Sequence, residues 1–270
     1  MRSASSTPSR WGLRTLGLGY LTLLLLAPLV AIFYKTFEHG LAPPLEAITS
    51  PNGLHALKLS LLMVAIAVPL NTIFGVGCAL LLVRHRWRGN ALIDSVINLP
   101  FAISPVVIGL SLFLLYSTTK GWLGSTFAEA GIEILFSVPG MVLASIFVSV
   151  PFVVRETVPV LQEIGTEQEQ AATTLGANAW QTFWRITLPS IRWGVAYGVV
   201  LTTARVLGEF GAVSIVSGSR SGETETLPLF VKKAFDNFEF PGAYGASVLL
   251  ALLALSTLLA MNVLKRKEDA

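Results

Sequence analysis

The chain has 270 residues, of which 53% are hydrophobic and only 13% charged, with a formal net charge of +3 and a mean hydropathy of +0.68. Soluble domains carry about 25% charged residues, so this composition excludes an ordinary water-soluble fold. The small positive excess reads as membrane topology and not as nucleic-acid affinity, because no basic stripe interleaved with aromatics accompanies it.

Six apolar runs follow one another, at residues 17–34, 57–83, 93–116, 137–154, 194–216 and 243–264. Each is roughly long enough for a hydrocarbon core of ~30 Å, which takes about 20 helical residues. The pattern predicts an all-α polytopic membrane protein: six transmembrane helices in residues 17–264, a segment 1–16 before them, a tail 265–270 and a long polar loop 155–192. The first run has a basic flank but is longer than a usual signal core, and no small-x-small site precedes residues 33–35, so it is expected to be a retained span. Cys78 lies in the second run; as the single cysteine it has no intrachain disulfide partner and suits a small buried hydrophobe.

Lys and Arg are unevenly shared between the loops. With the N-terminus in the cytoplasm, twelve lie inside, among them Arg2, Arg84, Arg86, Arg88, Arg185, Arg192 and Lys265, and six outside, among them Lys58, Lys120, Arg220, Lys232 and Lys233. This bias predicts both termini, and the 155–192 loop, in the cytoplasm. Pro69, Pro100, Pro105, Pro139 and Pro151 fall in the runs and are each expected to remove an intrahelical bond. Beside Pro105, Ser104 is a candidate for lining a path, the plainer reading being a proline kink.

The loop before the fifth run reads QAATTLGANAWQTFWRITLP over 170–189. Thr166 and Glu169 have capping-box spacing, and Glu167 and Glu169 suit the positive end of a helix. Gly176 is placed to end that helix in the left-handed conformation, and Asn178 to cap a second one over 179–188, broken by Pro189. Trp180, Phe183 and Trp184 then share one face. The outcome is a compact knob outside the lipid, either a docking element or an interfacial anchor.

The fifth run contains ARVLGEFGA, with Arg205 and Glu209 one helical turn apart and Gly208 and Gly211 placed for close helix approach. Ionisable groups at membrane depth usually face a bundle interior or a wet cavity. Two readings stay open: an ion pair that packs the helices, or an Arg205 that lines an anion path while Glu209 tempers its charge. The chain has no GxxxxGK[ST] loop, no HExxH pair, and histidines (His39, His55, His85) only outside the runs, so an enzyme is not expected. A secondary transporter remains the rival, although Glu209 is the only clear acid within a run.

Ala171, Ala172, Gly176, Ile186, Leu188 and Pro189 match the pattern EAA, three residues, Gly, nine residues, I-x-L-P, with Gln170 at the acidic position and Glu169 beside it. This resembles the loop by which the membrane subunit of an ATP-driven importer engages its ATPase. WRGNALIDSVINLPFAISPVVIGLSL (87–112), ARVLGEFGA and FGAVSIVSGSRSGETETLPL (210–229) are similar to permeases of the molybdate and sulfate group of ABC importers. Within that group the likeness, over about 24–264, is to the W-type subunit of bacterial sulfate/thiosulfate transporters. The resemblance implies a MetI-like permease fold in the bacterial cytoplasmic membrane and alternating access. It also implies a T-type permease partner, two copies of an ABC ATPase carrying ATP and Mg, and an extracytoplasmic sulfate-binding protein. Sulfate or thiosulfate is the expected cargo, molybdate or tungstate the alternative, and no cofactor is expected in this chain. By the same resemblance Glu167, Glu169, Gln170, Ala171, Ala172, Gly176, Trp180, Phe183 and Pro189 would dock the ATPase. The residues themselves, apart from the resemblance, make Arg205, Glu209 and Ser104 candidates to line the path, and Ser219, Arg220, Thr224 and Thr226 in the 217–241 loop candidates to meet the binding protein.

Overall fold

The computed structural model describes residues 7–38, 40–85, 88–119 and 121–268. Arg2, His39, Arg86, Trp87 and Lys120, with residues 269–270 of the tail, lie outside the described residues, as do the side chains of Arg10, Lys265, Arg266 and Lys267. Every described element is helical. In order they are α1 (Thr7–Phe37), α2 (Ala42–Thr49), α3 (Pro51–Arg84), α4 (Asn90–Ala102), α5 (Pro105–Tyr116), α6 (Gly124–Glu129) and α7 (Val138–Ile164). Then follow α8 (Glu167–Thr174), α9 (Ala179–Thr182), a π turn (Phe183–Thr187), α10 (Leu188–Ser190), α11 (Arg192–Leu207), α12 (Gly211–Val216), α13 (Leu227–Asp236) and α14 (Phe240–Glu268).

Six transmembrane helices are expected, and four or five candidate spans are found. Among the described residues, four helices are long and apolar enough to cross a bilayer: Arg14–Phe37, Pro51–Arg84, Val138–Ile164 and Phe240–Val263. The third run is a bent pair, Asn90–Ala102 and Pro105–Tyr116, turned by 110°. Ser104 is extended there (φ −60°, ψ 136°), as the residue before a proline must largely be. The fifth run is interrupted too: α11 has 16 residues, about 24 Å at 1.5 Å per residue, before the chain breaks at 208–210 and restarts as α12. Two proline expectations also change. Pro105 and Pro139 occupy first turns, where the missing N–H was unpaired anyway, whereas Pro69, Pro100 and Pro151 lie inside helices together with Pro159.

α7 is the centre of the bundle, with α3 and α11 against it. A Cβ on Gly75 of α3 would stand 2.7 Å from Val153 Cβ, and one on Gly198 of α11 2.8 Å from Val153 Cα. Backbones therefore touch at Val153, the close approach that small residues permit between helices in lipid. Gly211 likewise meets Pro105, at 2.9 Å, but Gly208 faces only its own helix and does not serve close packing. A polar contact reinforces α3 and α7: buried Asn71 donates to Ser149 Oγ (2.7 Å) and to the Ile146 carbonyl. α1 lies against α14 with its apolar side chains outward, as a helix facing lipid does. Cys78 is half-buried, and His55, expected outside the spans, sits in the first turns of α3.

Candidate functional site: a helical knob and the ends of α3

The loop after α7 folds into the expected knob, with different capping at its start. α8 ends in a Schellman motif: the Ala177 N–H donates to the Ala172 carbonyl and the Gly176 N–H to that of Thr173, each at 3.0 Å, with Gly176 at φ +87°. Asn178 then forms a complete capping box with Gln181, at 2.9 and 3.0 Å, and starts α9. The predicted Thr166–Glu169 capping box is absent. Thr166 has no side-chain cap bond to the backbone, and its hydroxyl accepts from Gln170 Nε2 at 3.0 Å. Glu169 is drawn elsewhere, to Arg84 and Thr187. Pro189 does not break the second helix. The wide π turn ahead of it leads into α10, and the chain reorients at Ile191 instead.

The face of this knob is apolar and open. Trp180 is 70% and Trp184 50% exposed, their rings stacked edge to face at 5.5 Å, and Leu175 is 89% exposed. Ala171, Gly176, Gln170, Glu167 and Pro189 are also exposed, whereas Ala172 is buried and Phe183 packs inward toward Leu161 and Ile191. Leu175 was missed by sequence reasoning; its signal is a large apolar side chain directly before the turn glycine in a polar segment. Asn71 and Arg84 were also missed as contact-making residues, although a polar residue inside the second run was visible.

Arg84, in the last turn of α3, holds the knob to the bundle. Its Nε lies 2.9 Å from Glu169 Oε2, while Nη1 donates to the Leu161 carbonyl (3.1 Å) and Nη2 to that of Gly165 (2.7 Å). The opposite end of α3 meets the second candidate surface. The Ser60 hydroxyl accepts from the Leu227 N–H at 2.8 Å, and His55 Nε2 lies 3.1 Å from the Glu223 carbonyl. The knob and the 217–226 loop thus occupy opposite ends of a helix about 50 Å long by its 34 residues.

That second surface is narrower than expected. Thr224 and Thr226 are buried, and Thr224 serves the loop itself by donating to the Ser217 carbonyl and accepting from the Arg220 N–H. Ser219, at φ +49°, is half-buried and Arg220 exposed, its guanidinium on the Phe136 carbonyl and 3.0 Å from Glu223. Residues 227–236, part of the predicted loop, are helix α13.

In the fifth run Arg205 and Glu209 are paired at 2.7 Å, Glu209 being buried. They no longer share a continuous helix. Glu209 lies in the break, and its Oε1 accepts from the Ala212 N–H (2.8 Å), capping α12. Ser104 is exposed at the α4–α5 bend and makes no cap bond. Its break and that at 208–210 are neighbours, through Pro105 and Gly211.

Residues 71–269 match the family described as binding-protein-dependent transport system inner membrane component. The chain is 54% identical over 252 residues to the sulfate transport system permease protein CysW of Synechocystis sp., covering 93% of this chain and 91% of that protein. It is 44% identical over 268 residues to the protein of the same description from Escherichia coli K12, covering 98% and 92%. In fold it is similar to a bacterial alginate ABC transporter solved with an alginate pentasaccharide-bound periplasmic protein, with a TM-score of 0.79 at 18% identity over 99% of this chain and 98% of that one.

Proposed function

The chain belongs to the family of binding-protein-dependent transport system inner membrane components, and we propose that it is the W-type permease subunit of an ATP-driven sulfate importer. It is a transport subunit and not itself an enzyme. The observation that carries the reading is the exposed knob of residues 167–190, preformed by a Schellman turn and a capping box and fixed to the ends of α3 and α7. An interfacial anchor needs an apolar face but not that turn geometry.

In this mechanism a partner ATPase receives the Leu175–Trp180–Trp184 face, with Glu167 the acid left at the surface, since Glu169 is engaged by Arg84. ATP, with Mg, closes two ATPase copies, and the knob transmits that closure to the helices. At the far end of α3 the 217–226 loop, through Ser219 and Arg220, meets the binding protein that delivers the anion. A T-type permease completes the membrane unit. Both termini and the knob lie in the cytoplasm in this reading, which the Lys and Arg distribution supports.

Purification of the chain with its co-eluting partners tests this. A second permease and two ATPases are expected, with ATPase activity stimulated by sulfate-loaded binding protein. A chain that purifies alone and moves sulfate with an ion gradient overturns it.

A further inference from the structure

Between α7 and α8 the backbone link is two residues, Gly165 and Thr166, and Gly165 sits at φ +63°. A joint of this kind lets a short helical knob swing without moving the long helix before it. One side chain closes that freedom. Arg84 comes from α3, more than seventy residues earlier, and reaches the Leu161 carbonyl in the last turn of α7 and the carbonyl of Gly165 just after it, together with the carboxylate of Glu169 on α8. Helix-terminal carbonyls have no intrahelical partner, so these are available acceptors. A planar guanidinium serves both carbonyls and the carboxylate at once, which an ammonium cannot do in the same geometry.

Glu169 passes the connection on. Its Oε1 also accepts from the hydroxyl of Thr187 at 2.8 Å, and Thr187, itself buried, ends the π turn that leads to α11. Only 13% of the Arg84 side chain and 20% of that of Glu169 are exposed, so solvent and salt screen the pair less than a surface ion pair. α3 and α7 thereby share one ionic junction with the knob, and Thr187 carries it to the turn that precedes α10.

We propose that Arg84, acting through Glu169, is the positioning residue that makes the knob and the ends of α3 and α7 move as one body. Closure of a partner ATPase then turns the spans instead of bending the loop at Gly165. The proposal rests on the knob being the ATPase contact.

The test is made in the complete complex reconstituted in proteoliposomes, reading ATP hydrolysed per sulfate imported for wild type, Arg84→Ala, Arg84→Lys, Glu169→Ala and the double alanine variant. Arg84→Ala is expected to raise that ratio at least about fivefold, the size of a typical coupling between sites. The double variant adds nothing beyond the larger single effect, because both remove one junction. Arg84→Lys, which keeps the charge but not the fork, lies between. A wild-type ratio in Arg84→Ala, with uptake and hydrolysis falling together, overturns the proposal, as do single effects that multiply in the double variant. Should Arg84→Ala not accumulate, Arg84→Lys decides alone: an intermediate ratio supports the junction and a wild-type ratio overturns it. Loss of the ATPases from Arg84→Ala on purification also overturns it, since the residue would then act on docking. Failure of the docking reading appears separately, as wild-type chain that never holds an ATPase.

Discussion

Arg205 and Glu209 meet at a helix break, where the packing role and the path role make different predictions. Glu209 is buried, bonded on one side to Arg205 and on the other to the first turn of α12. Arg205→Ala leaves that carboxylate without its counter-charge, and removing one partner of a buried pair costs about 3 kcal/mol. A lowered Tm of the detergent-solubilised complex is therefore expected, with Arg205→Ala/Glu209→Gln recovering most of it along with uptake. Recovered stability without uptake assigns Arg205 to the anion path instead. Gly176 gives a second prediction at this scale. Nothing lies within 4 Å of a Cβ built there, so Gly176→Val meets no crowding and its cost comes from φ +87° alone, about 1–2 kcal/mol. Uptake per ATP is expected to fall in Gly176→Val and much less in Gly176→Asn, because Asn tolerates the left-handed region. Equal loss in both would place the fault in the side chain and not in the turn.

Two interrupted helices meet each other, α4–α5 at Ser104 and α11–α12 at 208–210. Their contact is backbone on backbone: a Cβ on Gly109 would stand 2.6 Å from the Ala212 carbonyl oxygen. Gly109→Ala must push α12 off α5, at about 1–3 kcal/mol for an overpacked site. A clear fall in Tm is expected, whereas Gly77→Ala, with nothing within 4 Å, should leave it almost unchanged. Comparable losses in the two variants would mean that the contact does not hold these elements together. The breaks were only half legible in the sequence. Pro105 announced a disturbance, but the 110° bend depends on what α5 packs against, which hydropathy does not encode. The fifth run read as one span because Gly208, Glu209 and Phe210 interrupt it without lowering its apolar character enough. The knob was legible because Gly176 and Asn178 act locally, through turn and cap bonds between near neighbours. Glu169 was misplaced for the opposite reason: local spacing offered Thr166, and Arg84, distant in sequence, won the carboxylate with a full charge.

At the scale of the whole molecule, α3 links the two candidate surfaces. At about 50 Å it exceeds a hydrocarbon core of ~30 Å, so α3 is long enough to project beyond the apolar layer. Arg84, Arg185 and Arg192 gather with the knob at one end, and Lys58, Arg220 and Lys233 with the 217–226 loop at the other. An ATP-driven importer needs this separation, because nucleotide and delivered anion reach it from opposite sides. The orientation is tested by a labelling experiment in which the single cysteine is first removed. In a Cys78→Ser background, Gln168→Cys on the exposed face of α8 and Glu223→Cys beside the α3 N-terminus are treated with a membrane-impermeant thiol reagent. Glu223→Cys is expected to react in intact spheroplasts and Gln168→Cys only after permeabilisation. The reverse pattern would turn the molecule over, leaving the knob where no ATPase can reach it, and the coupling mechanism would fall with the topology.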